Sequence, residues 1–381
     1  SSGAPPERAH RAPPRRGCAP PASAHWPAPK SRGPAMGAAL WEPVTAMVVE
    51  RAASRSWAAA TVTMQGWRRT HEDVHILRCA GEGAEEPGVF AVLDGHGGDA
   101  AAHAACGMLE ERLVQLAQRG TLDPTSAAEE LQDAFIQSDA RLRERLEPND
   151  RSGTTVVSAI ITQPQPAVFC VQLAHCGDSR AVLCSGNRLT CSLDHTPRRE
   201  DEAKRIEAAG GIVVPGLWGG GPMRIDGALA VSRSLGDFEY KPPGLAPCLC
   251  KVSAVPEVTT VPDCAPGDWL LLACDGVFDV VGNDELHGFV SRKLRESVPD
   301  ADGGAILIDL LKLCLGRGSK DNITASLVQL RADGASQASS RELLQGSWAE
   351  APPPVRAKYA EFFLAHGFEA EARRLAPPAA A

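Results

Sequence analysis

Four aspartates of this chain stand at the ends of apolar runs that have the length and bulk of buried strands. Asp94 directly follows Val89-Phe90-Ala91-Val92-Leu93, and Asp275-Gly276 directly follows residues 270–274. Asp178 follows residues 168–174 by way of His175-Cys176-Gly177, and Asp321-Asn322 leads into residues 323–330. A buried strand fixes the place of whatever comes next, and in an antiparallel sheet the end of one strand lies beside the start of its neighbour. Acids more than two hundred residues apart can therefore converge on one sheet edge. Glu72 and Asp73, which follow a short strand at residues 61–64, can join them. A turn accounts for any single Asp-Gly dipeptide. It does not account for the recurrence.

Such a cluster demands compensation. Two carboxylates about 5 Å apart repel by about 3 kcal/mol at an effective dielectric near 20, and either protons or cations must offset this. An all-oxygen ligand set completed by water suits a hard divalent ion, Mg²⁺ or Mn²⁺, rather than zinc. The formal net charge of -8 fits a chain that concentrates carboxylates and argues against a general nucleic-acid binder. With 5% aromatic residues, stacking platforms for single strands are not expected either.

The rest of the pattern is α+β: stacked sheets with helices outside. Leu109, Leu113 and Leu116 recur at helical spacing, as do Leu131, Phe135 and Leu142 in a helix begun by Asp123 as cap with Pro124 at its first position. Strands are expected at 155–161, 168–174, 181–184, 269–274 and 323–330, and helices at 200–209, 284–294 and 306–315. Residues 215–227, with Gly219-Gly220-Gly221, read as a mobile surface loop. Residues 1–56 read as a disordered Pro/Ala/Arg-rich segment that cannot bury enough apolar area to order itself. In residues 1–35, arginines with Glu7 as the only acid suggest a transit peptide, but the prolines oppose the amphipathic helix one needs. Were translation to begin at Met36, Gly37 would be N-terminal, but Trp41 stands where the myristoylation pattern wants Ser or Thr. Residues 332–381 form a tail with one helix at 355–374, weakened in its middle by Gly367.

No run of eighteen apolar residues is present, so no transmembrane segment is expected. The 12 cysteines are spread among apolar runs (Cys170, Cys184, Cys274, Cys314), as free buried thiols are, which points to a reducing compartment, cytoplasmic and/or nuclear. Cys248 and Cys250 lack a second pair at zinc spacing.

A rival motif is present. His71-Glu72-Asp73-Val74-His75 matches the H-E-x-x-H pattern of zinc peptidases. That chemistry needs both imidazoles on one helix face, whereas the flanks Met64 and Ile76-Leu77 look β-like, and no third ligand follows at the usual spacing. Arg68, Arg69, Arg224 and Arg233 are the cation candidates near the acids, because paired N–H donors suit a phosphoryl dianion.

Taken together, the ordered motifs resemble the metal-dependent Ser/Thr protein phosphatases of type 2C, the PPM family. They run Met64-Gln65-Gly66-Trp67-Arg68 with Glu72-Asp73, Asp94-Gly95-His96-Gly97-Gly98, Ser152-Gly153-Thr154-Thr155 and Cys176-Gly177-Asp178-Ser179-Arg180. They continue with residues 229–237, ending Leu235-Gly236-Asp237, then Asp275-Gly276-Val277-Phe278-Asp279 and Gly318-Ser319-Lys320-Asp321-Asn322. Within the family the chain resembles the vertebrate alpha/beta branch, with which it shares residues 64–68 and 237–241. The resemblance covers residues 57–331 and implies a phosphatase domain there, built as a central antiparallel β-sandwich flanked by pairs of α-helices.

By position it implies that Asp94 bridges two Mg²⁺ or Mn²⁺ ions, that Asp275 and Asp321 complete one, and that the Gly95 carbonyl, Glu72 and Asp73 serve the other. Asp178 and Asp279 match the positions of a third metal. Arg68 would grip the substrate phosphate, a metal-bridging water would attack phosphorus, and His96 would protonate the leaving oxygen. The implied substrates are phosphoserine and phosphothreonine in proteins, and the chain is expected to be a monomer. Phe278 stands where Trp is more usual, and residues 215–227 lie where the family has its substrate-side flap. A pseudophosphatase that binds phosphoproteins without hydrolysis is the alternative; the presence of every expected ligand speaks against it.

Overall fold

The Trp269–Ala273 strand explains how the layers are built. All its residues are buried, but on opposite faces. Leu270 and Leu272 pack with Phe90, Val157 and Phe169. Trp269, Leu271 and Ala273 pack with Leu286, Val290, Leu307 and Leu311. Side chains alternate along a strand, so a strand covered on both faces must be apolar throughout. The same holds for Gly88–Leu93, whose Phe90 and Val92 face the other sheet while Val89, Ala91 and Leu93 face helices.

The computed structural model describes residues 39–80, 87–216, 221–296, 301–332 and 339–375. Its larger sheet has seven strands in the order Arg188–Cys191, Arg180–Ser185, Trp269–Ala273, Ile323–Leu330, Trp57–Gly66, Val44–Ala53 and Ser340–Leu344. The second has five: Glu257–Cys264, Val168–Cys176, Val156–Gln165, Gly88–Leu93 and Val74–Cys79. Every pairing in both is antiparallel. The helices Ala100–Gln118 and Pro124–Arg145 cover the smaller sheet. Asn283–Glu296 and Gly303–Gly316 cover the larger. The result is the four-layered sandwich the resemblance implies. Asp123 caps its helix as its position suggests, accepting from the Thr125 amide at 3.0 Å.

Three expectations are corrected. Within residues 1–56, Val44–Ala53 is a strand, paired on both sides, not a disordered segment; residues 1–38 lie outside the described residues. Its Met47 and Val49 join the core under the helices, while Val44, Ala46 and Val48 point the other way. What covers them is the tail, which residue order alone does not reveal. The Ser340–Leu344 strand extends the sheet, and the helix Pro353–Ala365 lays Val355, Tyr359, Phe362 and Phe363 on Val44, Ala46 and Val48. The single helix expected at 355–374 is two, Pro353–Ala365 and Glu369–Leu375. Gly367 sits between them at φ +75°, a left-handed conformation that ends a helix and suits glycine. Finally, the loop expected at 215–227 has a β-hairpin at its base, Val213–Pro215 against Met223–Ile225; residues 217–220 lie outside the described residues.

Candidate metal centre and active site

The acids meet at one end of the sandwich. Asp94 ends the Gly88–Leu93 strand, and Asp275 opens a single helical turn, Asp275–Phe278, directly after Trp269–Ala273. Asp279 lies one turn further, its amide donating to the Asp275 carbonyl at 2.8 Å, which puts both carboxylates on one face. Asp178 stands in the turn from Val168–Cys176 to Arg180–Ser185. Asp321 precedes Ile323–Leu330, whose first residue pairs with Met64 near the end of Trp57–Gly66. Asn322 ties these ends together: its amide nitrogen donates to the carbonyls of Gln65 (2.8 Å) and Thr70 (3.0 Å), and its oxygen accepts from the Glu72 amide at 2.9 Å.

Asp73 is fixed by a directed chain of hydrogen bonds. Thr324 donates to its Oδ2 at 2.7 Å, so the Thr324 oxygen must accept from Thr63 (2.6 Å), and Thr63 must accept from His71 Nε2 (2.8 Å). Burial holds the His71 pKa well below its ordinary value, consistent with a neutral ring protonated on Nε2. Glu72 is anchored by the Gly98 amide (3.1 Å) and the Thr70 hydroxyl (2.6 Å). Gly95 pairs with Thr154 in a small three-stranded ladder beside the acids.

Electrostatically the cluster is short of positive charge. Burial, reinforced by neighbouring carboxylates, pushes Asp94 and Asp275 well above the usual carboxylate range. It raises Asp73 and Asp178 to about 7, and Asp279 and Asp321 are raised as well. Among the described residues the six make one ion pair, Arg68 with Asp321. Asp73 Oδ1 and Asp275 Oδ1 are buried with no hydrogen-bond partner. A buried carboxylate oxygen with no donor costs about 1–3 kcal/mol or more, so the residues fit a cation. Cys274 lies with Asp73 and Asp94, their ligand atoms within 4.8 Å of one another. Burial and the acids push its pKa well up, and its sulfur donates to the Asn322 carbonyl at 3.5 Å, so it stays a thiol. The remaining donors are oxygens, the set that hard divalent ions prefer.

On the open side stand His96 and Arg68. His96 Nε2 lies 2.7 Å from Asp237 Oδ2. Burial alone lowers the histidine pKa, but the Asp237 carboxylate outweighs it and the net shift is upward. The Arg68 side chain is 47% exposed and feels Asp94 and Asp275 as well as Asp321. Of the other arginine candidates, Arg69 is exposed, and Arg224 lies on the hairpin, donating to the Ala228 carbonyl. Arg233 is committed to Glu202 (2.7 Å) and the Val255 carbonyl (2.9 Å). Phe278 lies under the Arg180 guanidinium, 4.4 Å from ring centre to carbon.

The zinc-peptidase arrangement is not formed. Residues 71–73 are irregular and Val74–Cys79 is a strand, so no helix carries His71 and His75 together. His75 Nε2 faces Glu50 at 3.2 Å, and His71 packs against Phe362 and His366 of the tail.

Three residues of the site carry no role in the sequence reading: Asp237, Asn322, and Asp194, which adds to the charge around Asp178 and Asp279 while paired with Arg180 at 2.7 Å. Asp237 and Asn322 lie inside quoted motifs, so their positions are visible but their contacts are not.

The description "Protein phosphatase 2C" matches residues 57–323. "Probable protein phosphatase 1N" of Mus musculus is 40% identical over 268 residues, which are 70% of this chain but only 63% of that protein's length. "Protein phosphatase 1A" of Homo sapiens is 35% identical over 277 residues, 70% of this chain and 69% of that protein. A phosphatase crystal structure from Toxoplasma gondii superposes with a TM-score of 0.66 at 24% identity, covering 78% of this chain and 99% of that one, and so shares the fold. With a family match over most of its length, a four-layered sandwich and the acids at one end, the chain belongs to the protein phosphatase 2C family.

Proposed function

We propose that this chain hydrolyses phosphoserine and phosphothreonine monoesters in proteins, with Mg²⁺ or Mn²⁺ ions held by the acid cluster. The observation that carries this is the set of Asp73, Asp94, Asp178, Asp275, Asp279 and Asp321, six carboxylates with a single ion pair among the described residues, in a member of this family. Asp94, Asp275, Asp321, Asp73, Glu72 and the Gly95 carbonyl would hold two ions, and Asp178 with Asp279 a third. Bound there, such ions acidify water and neutralise phosphoryl charge.

The protein's own groups do the rest. Arg68, half exposed beside Asp321, offers parallel N–H donors to the phosphate and so orients the phosphorus over the acids. His96, held by Asp237, donates a proton to the seryl or threonyl oxygen as the ester bond breaks. The reaction needs no cysteine nucleophile: burial pushes Cys176 and Cys314 up to about 12, and burial with the neighbouring acids holds Cys274 well above its ordinary value. The eleven described cysteines are free, which supports a reducing compartment, cytoplasmic and/or nuclear. There the chain acts as a monomer on phosphoproteins rather than on nucleic acid. The direct test is turnover of a phosphothreonine peptide with Mn²⁺ and then with EDTA. Activity that EDTA abolishes is expected; no turnover, or turnover indifferent to EDTA, overturns the reading.

A further inference from the structure

We infer that Asp237 is the positioning residue for His96, fixing the imidazole by its Nε2 so that Nδ1 is the nitrogen that meets the departing oxygen. This rests on the hydrolase reading above.

The small ladder is built for that pair. Its middle strand, Gly153–Thr154, has His96 opposite Gly153 on one side and Gly236 opposite Gly153 on the other. His96 and the residue after Gly236 therefore reach each other across Gly153. A Cβ at Gly153 would overlap both the Asp237 carboxylate and the His96 ring. The space exists because that residue has no side chain.

Asp237 itself is 3% exposed, whereas the His96 side chain is 28% exposed. The acid lies behind and the imidazole in front. Asp237 adopts φ 50° and ψ 42°, a left-handed conformation that is unfavourable for a non-glycine residue. The surroundings enforce it. Its amide donates to the Ser152 carbonyl at 3.0 Å, and its carbonyl accepts from the Tyr240 amide at 3.0 Å. Behind it, Lys241 Nζ bridges Asp139 (2.9 Å) and the Ser234 carbonyl (2.8 Å), while Asp139 also accepts from the Gly236 amide at 2.8 Å. The Ser234 hydroxyl donates to the same Oδ2 that His96 meets.

A carboxylate only accepts, so His96 Nε2 carries the hydrogen. Among the described residues Nδ1 has no hydrogen-bond partner. In the reaction, the water oxygen forms the new P–O bond and the ester P–O bond breaks. The departing oxygen takes the Nδ1 proton, leaving a neutral ring still donating from Nε2 to Asp237. The proton lost by the water restores the imidazolium.

The test compares two substrates on the same samples with saturating Mn²⁺: a phosphothreonine peptide, whose leaving oxygen needs a proton, and p-nitrophenyl phosphate, whose leaving group does not. Because both rates are read on one sample, partial unfolding of a variant cancels in their ratio. Asp237→Asn should lower kcat on the peptide about 10²-fold, with KM changed less than about 3-fold. On p-nitrophenyl phosphate the loss should stay under about 3-fold. In a His96→Ala background, Asp237→Asn should cost nothing further on the peptide. Equal losses on both substrates, or a further loss in the His96→Ala background, would mean a merely structural role and overturn the inference. A wild type inert on both substrates overturns the hydrolase reading and this inference with it; an active wild type with an unchanged ratio in Asp237→Asn overturns this inference alone.

Discussion

Among the described residues, two clusters of largely buried ionisable groups are neutralised by opposite means. The aspartates at the sandwich end have one arginine among six carboxylates. In the second cluster, around His175, His195 and Glu257, every charge has a partner. Glu257 bonds Arg199 and faces His195 at 3.4 Å and His175 at 3.8 Å. Glu202 holds Arg233 at 2.7 Å and Arg205 at 2.6 Å. The pKa directions follow. His195 and Arg199 beside it hold Glu257 well below the usual carboxylate range; at Glu202 burial opposes, but Arg233 prevails and the net shift is downward.

Ligand distance does not distinguish the two, since the atoms of the histidine cluster also lie within 4.8 Å of one another. Protons do. His175 Nε2 donates to the Leu193 carbonyl at 2.9 Å, and His195 Nδ1 accepts from the Gly177 amide at 3.2 Å, which leaves its hydrogen on Nε2. Both nitrogens facing Glu257 therefore carry hydrogen and offer a cation no lone pair. Unmet charge marks a binding centre; matched charge marks a strut.

The sharpest way to break this contrast is to remove one carboxylate from each cluster. Asp275→Asn should reduce Mn²⁺-dependent turnover at least about 10³-fold, yet raise the melting temperature in EDTA by about 2–4 °C, because an unpaired buried charge is gone. Glu202→Gln should do the reverse, lowering stability by about 3 kcal/mol while leaving Mn²⁺ affinity unchanged. Calorimetry with and without Mn²⁺ reads both, and two variants that destabilise alike would erase the distinction.

Next in size is a pH effect of opposite sign. Without metal, Asp73 and Asp178 titrate near 7 in the folded chain against 3.8 ordinarily. The folded state then binds more protons than the unfolded one between about pH 4 and 7, so stability falls as pH rises through that window. His175, lowered from 6.5 to about 4, binds fewer, so its contribution grows with pH and is lost on acidification. Since metal must displace the protons on the aspartates, Mn²⁺ affinity should tighten about 10-fold from pH 6.5 to 7.5. A flat affinity profile by titration calorimetry would contradict this. The smallest effect belongs to Thr63→Val, which cuts the hydrogen-bond chain to Asp73. It should cost about 1 kcal/mol in urea unfolding and weaken Mn²⁺ binding only a few-fold.

Much of the candidate site is legible in residue order. Asp94, Asp275 and Asp321 follow or precede runs so apolar that their strands must be covered on both faces, and the acid falls where the run ends. Asp279 is readable too, four residues after Asp275. Asp237 is not: the Leu235–Gly236 strand is too short to show a period, and its meaning depends on Gly153, eighty-odd residues away. Val44–Ala53 fails for a related reason. Its two faces are buried by helices far along the chain, so nothing local separates it from the Pro/Ala-rich residues before it. The H-E-x-x-H match fails in the other direction, a pattern without the helix that would give it meaning.

By itself, then, the sequence determined the central, most apolar strands and that acids stand at their ends, because apolar runs and turn residues act over a few neighbours. Only the tertiary structure decided which of those charges go unmet. Coulomb energy and desolvation depend on distance through space and on burial, and neither is a property of position along the chain.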